Sequence, residues 1–166
     1  MTLRVLGYVC LSLVCGSILS VAGILAWFAA DRAVPVTVMS SEVLTPRVRP
    51  GDKLIIRQRL NYLRDCSVHV DRALYDRVSE ENPPDQNDVR REWLRDVDYD
   101  HPPLGLGKRT ITFEEDVPLS FTPGPAEYRA VPSYACNSLH KYYWPITRPV
   151  TILRFEVIGD DPPARP

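Results

Sequence analysis

The sequence lacks the short motifs that identify most catalytic and nucleotide-binding sites. It contains no Gly-x-Ser-x-Gly turn, no His-Glu-x-x-His pair, no glycine-rich phosphate loop and no Cys-x-x-Cys pair. Only three histidines are present, His69, His101 and His140, and nothing in their spacing predicts that they converge. We therefore expect a protein that is not an enzyme and that needs no cofactor or metal.

The chain also lacks an excess of charge of either sign. Its 20 basic and 21 acidic residues give a net charge of −1, which provides no long-range field to attract nucleic acid. Of the basic residues only Lys53, Lys108 and Lys141 are lysine, and the sequence has no Asn-x-Ser/Thr glycosylation site. Both features favour a bacterial or phage-encoded protein.

Charge is absent altogether from Val5 to Ala30, a run of 26 residues. About 20 apolar residues suffice for a helix to cross the hydrocarbon core of a bilayer. Tyr8 lies near one end of the run and Trp27 and Phe28 near the other, where aromatic rings favour the membrane interface. The run predicts a transmembrane signal-anchor at residues 1–32, and hence the lipid bilayer as a partner.

A cleaved signal peptide is the competing interpretation of this run. Its apolar core is normally about 7–15 residues long and ends at a small-x-small cleavage site. Ser20 and Ala22 form such a pair, but cleavage there would leave several apolar residues at the new terminus. The length of the run favours an uncleaved anchor.

The orientation of the helix follows from weaker signals. Arg4 favours a cytoplasmic N-terminus, whereas Arg32 directly after the helix opposes it. Cysteine usage in the remaining chain favours an oxidising compartment, so we expect the C-terminal part to be periplasmic or extracellular.

Small residues recur on one face of the predicted helix at four-residue spacing. They are Ser12, Gly16, Ser20 and, close to the same face, Gly23. Such a stripe lets two helix backbones approach closely in lipid, which predicts a homo-oligomer or a partner membrane helix. Small residues are also common in membrane helices without that role.

Strand patterns dominate residues 33–158. Residues 66–71 alternate, with Cys66, Val68 and Val70 on one face and His69 and Asp71 on the other, and residues 153–157 alternate in the same way. Further strands are predicted at 34–43, 53–63, 110–113, 127–131 and 134–137, separated by turn sequences such as Pro50-Gly51. Short strands with frequent turns predict a mainly β fold, a small antiparallel β-sandwich.

A charged, proline-containing excursion interrupts this pattern at residues 76–108. It contains a possible short helix at 87–95 and an acidic stretch, Asp96, Asp98 and Asp100, that resembles the start of a calcium loop. The loop pattern then fails, because His101 replaces its glycine and Gly107 its final glutamate, so a solvated acidic loop is expected. The proline-rich tail at 159–166 is predicted to be disordered.

Cys66 and Cys136 fall in predicted strands, whereas Cys10 and Cys15 lie in the membrane helix. Outside the cytoplasm Cys66 and Cys136 would form a disulfide, and in the cytosol they would remain buried thiols. Tyr134, two residues before Cys136, resembles the tyrosine corner of immunoglobulin domains. The tryptophan that those domains place soon after the first cysteine is missing here, so the resemblance implies a general architecture and no family membership.

Tyr142, Tyr143 and Trp144 form an aromatic cluster just before Pro145. Aromatic rings ordinarily fill the core or cap its end, and that is the favoured interpretation here. The alternative is an exposed patch that binds a protein partner.

These patterns together predict a single-pass membrane protein whose extracytoplasmic domain is a binding or structural module of a membrane assembly. The alternative is a small envelope enzyme or metal-binding protein that uses His69, Asp71 and the acidic loop. Histidines that converge with carboxylates in a concave pocket would favour the alternative, and scattered, solvated histidines the binding module.

Overall fold

The computed structural model describes residues 2–78 and 89–159. It contains the helices α1 (Thr2–Ala30) and α2 (Ser138–Tyr142) and the strands β1 (Val36–Val43), β2 (Arg47–Val48), β3 (Lys53–Tyr62), β4 (Ser67–Tyr75), β5 (Arg91–Trp93), β6 (Val97–Tyr99), β7 (Gly107–Asp116), β8 (Gly124–Ala135), β9 (Ile146–Thr147) and β10 (Thr151–Val157). The fold is mainly β with one N-terminal apolar helix, as predicted. Residues 160–166 of the predicted tail lie outside the described residues.

The described strands form two sheets. The smaller has the order β1-β3-β7, and the larger has the order β2-β10-β8-β4-β5, with β6 beside β4 and β9 beside β8. Pairing is antiparallel except between β2 and β10, which run parallel. The predicted antiparallel arrangement therefore becomes a mixed one at the edge strand β2.

The core lies between the two sheets. Alternation along β3 points Leu54 and Ile56 inward, where they contact Leu74 of β4, Tyr128 of β8 and Phe155 of β10. Each of these five side chains is at most 5% exposed. The arrangement is sandwich-like, because the inner faces of both sheets contribute to one apolar layer.

Strand β8 is continuous where the sequence predicted two strands divided at Pro132. The Pro132 carbonyl accepts a hydrogen bond from the backbone N–H of Arg148. The backbone carbonyl and nitrogen of Pro132 therefore lie on the side of β8 that faces away from β4. β10 pairs with β8 only as far as Ala130, and β9 begins its pairing at Ser133. The missing N–H of Pro132 falls in the gap between these neighbours, where no ladder bond is lost.

The charged excursion at 76–108 contributes two strands to the larger sheet. β5 pairs with Ala73–Tyr75 of β4 and β6 pairs with Val68–Val70 of the same strand. The predicted helix at 87–95 is therefore wrong for its described part, since β5 extends the edge of the sheet and satisfies its backbone groups there. Residues 79–88 lie outside the described residues.

The disulfide joins Cys66 and Cys136, with their Cα atoms 4.4 Å apart. Ser67 of β4 pairs with Ala135 of β8, so the two cysteines flank the ends of neighbouring strands in one sheet. The predicted bond is present. In immunoglobulin domains the corresponding bond links two sheets, so the resemblance around Tyr134 does not extend to the disulfide.

An ion pair between described residues crosses from one sheet to the other. Arg72 of β4 pairs with Glu115 of β7, and their side chains are 12% and 11% exposed. Arg72 also donates to the backbone carbonyl of Arg95. Burial raises the pKa of Glu115, and the neighbouring Arg72 guanidinium opposes that rise.

Candidate functional site

A cluster of His69 and aspartates forms where β4 and β6 pair. His69 and Asp71 share the outer face of β4, and the register places Asp98 of β6 directly opposite His69. The Nδ1 atom of His69 is 2.6 Å from Asp98 Oδ1, and its Nε2 atom is 3.2 Å from Asp71 Oδ1. Both ring nitrogens therefore face a carboxylate.

These carboxylates control the titration of His69. The hydrogen bond with Asp98 raises the pKa of the imidazole, burial lowers it, and Asp71 raises it further. The net direction is upward, because both carboxylates stabilise the protonated ring.

Asp96 joins the same cluster. His69, Asp71 and Asp96 each offer one ligand atom, and these three atoms lie within 4.8 Å of one another. Imidazole and carboxylate together suit zinc, manganese or iron. The sequence suggested a solvated acidic loop here, but Val97–Tyr99 is a strand, so the aspartates line its edge and do not wrap around an ion as a calcium loop does.

His69 and His140 both line one concave cavity of about 410 Å³. Asp98, Asp100 and Lys141 also line it. Two of the three histidines thus meet carboxylates in a pocket, which is the arrangement that favours the enzyme or metal-binding alternative over the binding module. The sequence had no signal for this, because 71 positions separate His69 from His140.

His140 is fully buried and belongs to α2. The Asn137 side chain caps this helix by accepting from the His140 backbone N–H at 2.9 Å, a typical N-cap contact. Among the described residues, His140 Nδ1 has no hydrogen-bond partner.

His101 lies apart from the cavity. Its side chain is exposed, and its Nδ1 atom is 2.9 Å from Asp65 Oδ1. The Asp65 carboxylate raises the pKa of His101.

Within residues 2–78 and 89–159, no nucleophile is hydrogen-bonded to the His69 ring. Ser133 also lines the cavity, but its hydroxyl donates to the His69 backbone carbonyl at 3.3 Å. General-base activation of a serine needs a hydrogen bond to the ring. The His69 imidazole and the neighbouring carboxylates are groups that can hold a cation or a polar ligand.

The aromatic cluster of Tyr142, Tyr143 and Trp144 lies on the surface. The three residues are 68%, 82% and 52% exposed, so their interpretation as core residues is wrong. Tyr142 is the last residue of α2, and Tyr143 and Trp144 follow this helix, whose buried residue is His140. The binding of a protein partner there stays a prediction.

The end of α1 is docked against this region of the domain. The Arg32 guanidinium lies 4.5 Å from the centroid of the Trp144 ring and donates to the backbone carbonyls of Trp144 and Pro145 at 3.3 and 3.0 Å. Asp31 forms a two-pronged ion pair with Arg64, at 2.9 and 2.5 Å, which lowers the pKa of Asp31. We call these contacts the helix–domain junction.

α1 also reaches the domain through Phe28, whose backbone carbonyl accepts a hydrogen bond from the Asn137 side chain at 3.4 Å. The α1 side chains from residue 5 to residue 27 are exposed, and Phe28 and Ala29 are half-buried. The hydroxyls of Ser12 and Ser20 donate to backbone carbonyls four residues earlier, and a Cβ added at Gly16 or Gly23 would meet open space. The small-residue face is thus open for another helix, and that association stays a prediction.

No protein-family model and no curated protein matches the chain. Among solved structures, a PapD-like domain of human CEP192 is similar with a TM-score of 0.47 at 12% identity, over 79% of this chain and 90% of that one. The alkylpurine DNA glycosylase AlkC of Pseudomonas fluorescens has a TM-score of 0.44 at 12% identity, over 76% and 31%. A β-glucosidase from Listeria innocua has a TM-score of 0.41 at 13% identity, over 75% and 16%.

The chain therefore spans about a third of the glycosylase and about a sixth of the β-glucosidase that it resembles. These likenesses indicate neither a family nor a function for it.

Proposed function

We propose that this protein is anchored in a membrane by α1 and that its β domain acts outside the cytoplasm as a binding or structural module. The observation that carries the proposal is the exposure of the α1 side chains from residue 5 to residue 27 on an otherwise folded protein. An apolar surface of this size is strongly unfavourable in water, and a helix of this length matches the hydrocarbon core of a bilayer.

The disulfide supports the placement of the domain. Cys66 and Cys136 are bonded, and such bonds persist in the periplasm or outside the cell and are rare in the cytosol. A cytoplasmic N-terminus follows for a chain that crosses once. The arginine bias and the absence of glycosylation sites support a bacterial or phage-encoded membrane assembly as its context.

The architecture proposed for the domain is a sandwich that is immunoglobulin-like only in general outline. The shared core between the sheets supports it. A rigid scaffold of this kind presents loops for recognition, as binding modules commonly do.

The test combines membrane extraction with thiol trapping on intact cells. Full-length protein should stay in the membrane pellet after alkaline carbonate treatment and keep the mass of the uncleaved chain. Alkylation under denaturing conditions without reductant should modify only Cys10 and Cys15, and reductant should add Cys66 and Cys136. The Cys10→Ser/Cys15→Ser variant serves as the control, because it should show no reactive thiol until reductant is added.

Release of the chain by carbonate, or a mass that lacks the leader, would refute the anchor. Free Cys66 and Cys136 thiols in cells would refute the placement outside the cytoplasm.

A second function, divalent-metal binding, is favoured by the cluster of His69, Asp71 and Asp96. The Asp98 carboxylate accepts a hydrogen bond from Nδ1 of His69. The other ring nitrogen, Nε2, faces Asp71 and would be available to bind a metal ion. Metal-binding histidines are commonly oriented by a carboxylate in this way. The converging ligand atoms support this candidate, although the sequence offers no metal-binding motif.

Zinc titration tests the metal site. Zinc at about 100 times Kd should stabilise the wild-type domain by about 2.7 kcal/mol in thermal unfolding. The His69→Gln variant should lose this effect, and the matched His101→Gln variant should keep it, because His101 pairs with Asp65 away from the cluster. Equal responses of all three proteins would exclude the site.

A further inference from the structure

The aromatic cluster and the membrane helix meet at the helix–domain junction. Arg32 contacts Trp144 and lies two residues after Ala30, the last residue of α1. The Asn137 side chain at the start of α2 also donates to the backbone carbonyl of Phe28 in the last turn of α1, at 3.4 Å. Trp144 is therefore held within a short distance of the point at which the helix leaves the apolar layer.

A helix that crosses a bilayer ends in the interface of that bilayer. Its total thickness of about 40–45 Å exceeds the hydrocarbon core of about 30 Å, which leaves roughly 5–8 Å of headgroup region on each side. If α1 fills the hydrocarbon core, Trp144 lies at headgroup level. Trp27 lies near the same end of α1 and is 74% exposed, so its ring lies at a similar depth in the bilayer.

The chemistry of the exposed rings fits that layer. Tyrosine and tryptophan are enriched at membrane interfaces because their rings are apolar and their polar ends are hydrated. Within the described residues, the hydroxyls of Tyr142 and Tyr143 and the indole N–H of Trp144 have no hydrogen-bond partner. These groups are available to water and lipid headgroups.

The local charge also fits a phosphate-bearing surface. The segment from residue 138 to residue 150 contains Lys141 and Arg148 and no acidic residue. Lys141 is exposed beside Tyr142. At the junction itself, the one acidic side chain next to the helix, Asp31, is already paired with Arg64.

We propose that Tyr142, Tyr143 and Trp144 insert into the headgroup layer of the bilayer that α1 crosses and hold the domain in a fixed orientation on the membrane. The occupant of this surface is lipid and not a protein partner. The inference rests on the proposed membrane anchor and adds a second point of membrane contact, formed by residues 112 positions away in the sequence.

Three single-tryptophan chains test the proposal. Each full-length chain keeps one of Trp27, Trp93 or Trp144, with phenylalanine at the other two positions. Each is reconstituted into phosphatidylcholine vesicles with a minor fraction of phosphatidylglycerol. The vesicles contain lipids brominated at a shallow or a deep acyl position, and the loss of tryptophan emission is measured.

Trp93 is the matched control, because it is 60% exposed and therefore as accessible as Trp144. Trp93 pairs with Ala73 of β4. Ala73 lies seven residues after Cys66, whose disulfide partner Cys136 is next to the start of α2, and seven residues of strand span about 23 Å. Circular dichroism confirms that each variant is folded.

Trp144 should lose emission with shallow bromines more than with deep ones, Trp27 should be quenched, and Trp93 should keep its emission. If Trp27 is quenched and Trp144 behaves like Trp93, the inference is overturned and the anchor stands. If Trp27 keeps its emission as well, both the anchor and the inference fail. The vesicles contain no other protein, so a surface reserved for a protein partner would also leave Trp144 unquenched.

Discussion

Arg72 and Glu115 form an ion pair that connects the two sheets through the interior of the domain. Each residue lies on a strand of a different sheet, β4 for Arg72 and β7 for Glu115. The pair is nearly closed to solvent, so neither charge can be rehydrated when its partner is removed.

The Arg72→Ala variant should therefore be strongly destabilised, by about 3–5 kcal/mol, because it leaves Glu115 buried and unpaired. Chemical denaturation of the detergent-solubilised protein, followed by tryptophan fluorescence, measures the loss. Arg47→Ala is the matched control, since the Arg47–Glu156 pair is 68% and 53% exposed and its removal should cost less than about 1 kcal/mol. Equal losses in the two variants would contradict the interior role of Arg72.

The Cys66→Ser/Cys136→Ser variant should lose on the order of 4 kcal/mol of stability. The bond closes a loop across a sequence separation of 70 residues, and its removal restores the conformational freedom of that loop in the unfolded chain. The same unfolding measurement with reductant should give a similar loss for the wild type. The Cys10→Ser/Cys15→Ser variant should unfold like the wild type, because these cysteines are free and lie in α1.

The His69 cluster should make the stability of the domain depend on pH. The pKa of His69 is raised in the folded state, so its stabilising contribution is complete below the ordinary imidazole pKa of about 6.5. That contribution is lost as the pH rises through the raised folded-state pKa. The difference in free energy of unfolding between wild type and His69→Gln should therefore shrink as the pH increases over this window.

A pH series of urea unfolding curves measures this difference. His101→Gln gives the separate contribution of the His101–Asp65 pair, whose pKa shift has the same direction. A wild-type advantage over His69→Gln that grows with pH would contradict the structure of the cluster.

The Gly16→Leu substitution should abolish any self-association of α1, because a large side chain separates the backbones that a small-residue face brings together. A genetic reporter of helix association in a bacterial membrane measures it. Gly7→Leu is the matched control, since at about 100° per residue Gly7 lies on the opposite side of the helix from Gly16. Identical signals from wild type and Gly16→Leu would show that the stripe is incidental.

Local patterns predicted the elements whose determinants are close together in sequence. The uncharged run Val5–Ala30 forms a single helix. A helix satisfies every backbone N–H and C=O group within an apolar segment of this length. Alternation around Val68 and Phe155 predicted strands β4 and β10, because the period of two is a property of the extended backbone itself. The short helix α2 was missed, although Asn137 three residues before His140 is an N-cap signal that could have revealed it.

The sequence by itself determined the apolar helix, the mainly β character and the two cysteines that form the bond. Only the tertiary structure decided that Asp98 faces His69, that His140 shares their cavity, and that Trp144 contacts Arg32 at the end of α1. These contacts depend on strand register and on docking between segments far apart in the chain. Local hydrophobic patterns do not encode them, because several registers would bury the same apolar faces.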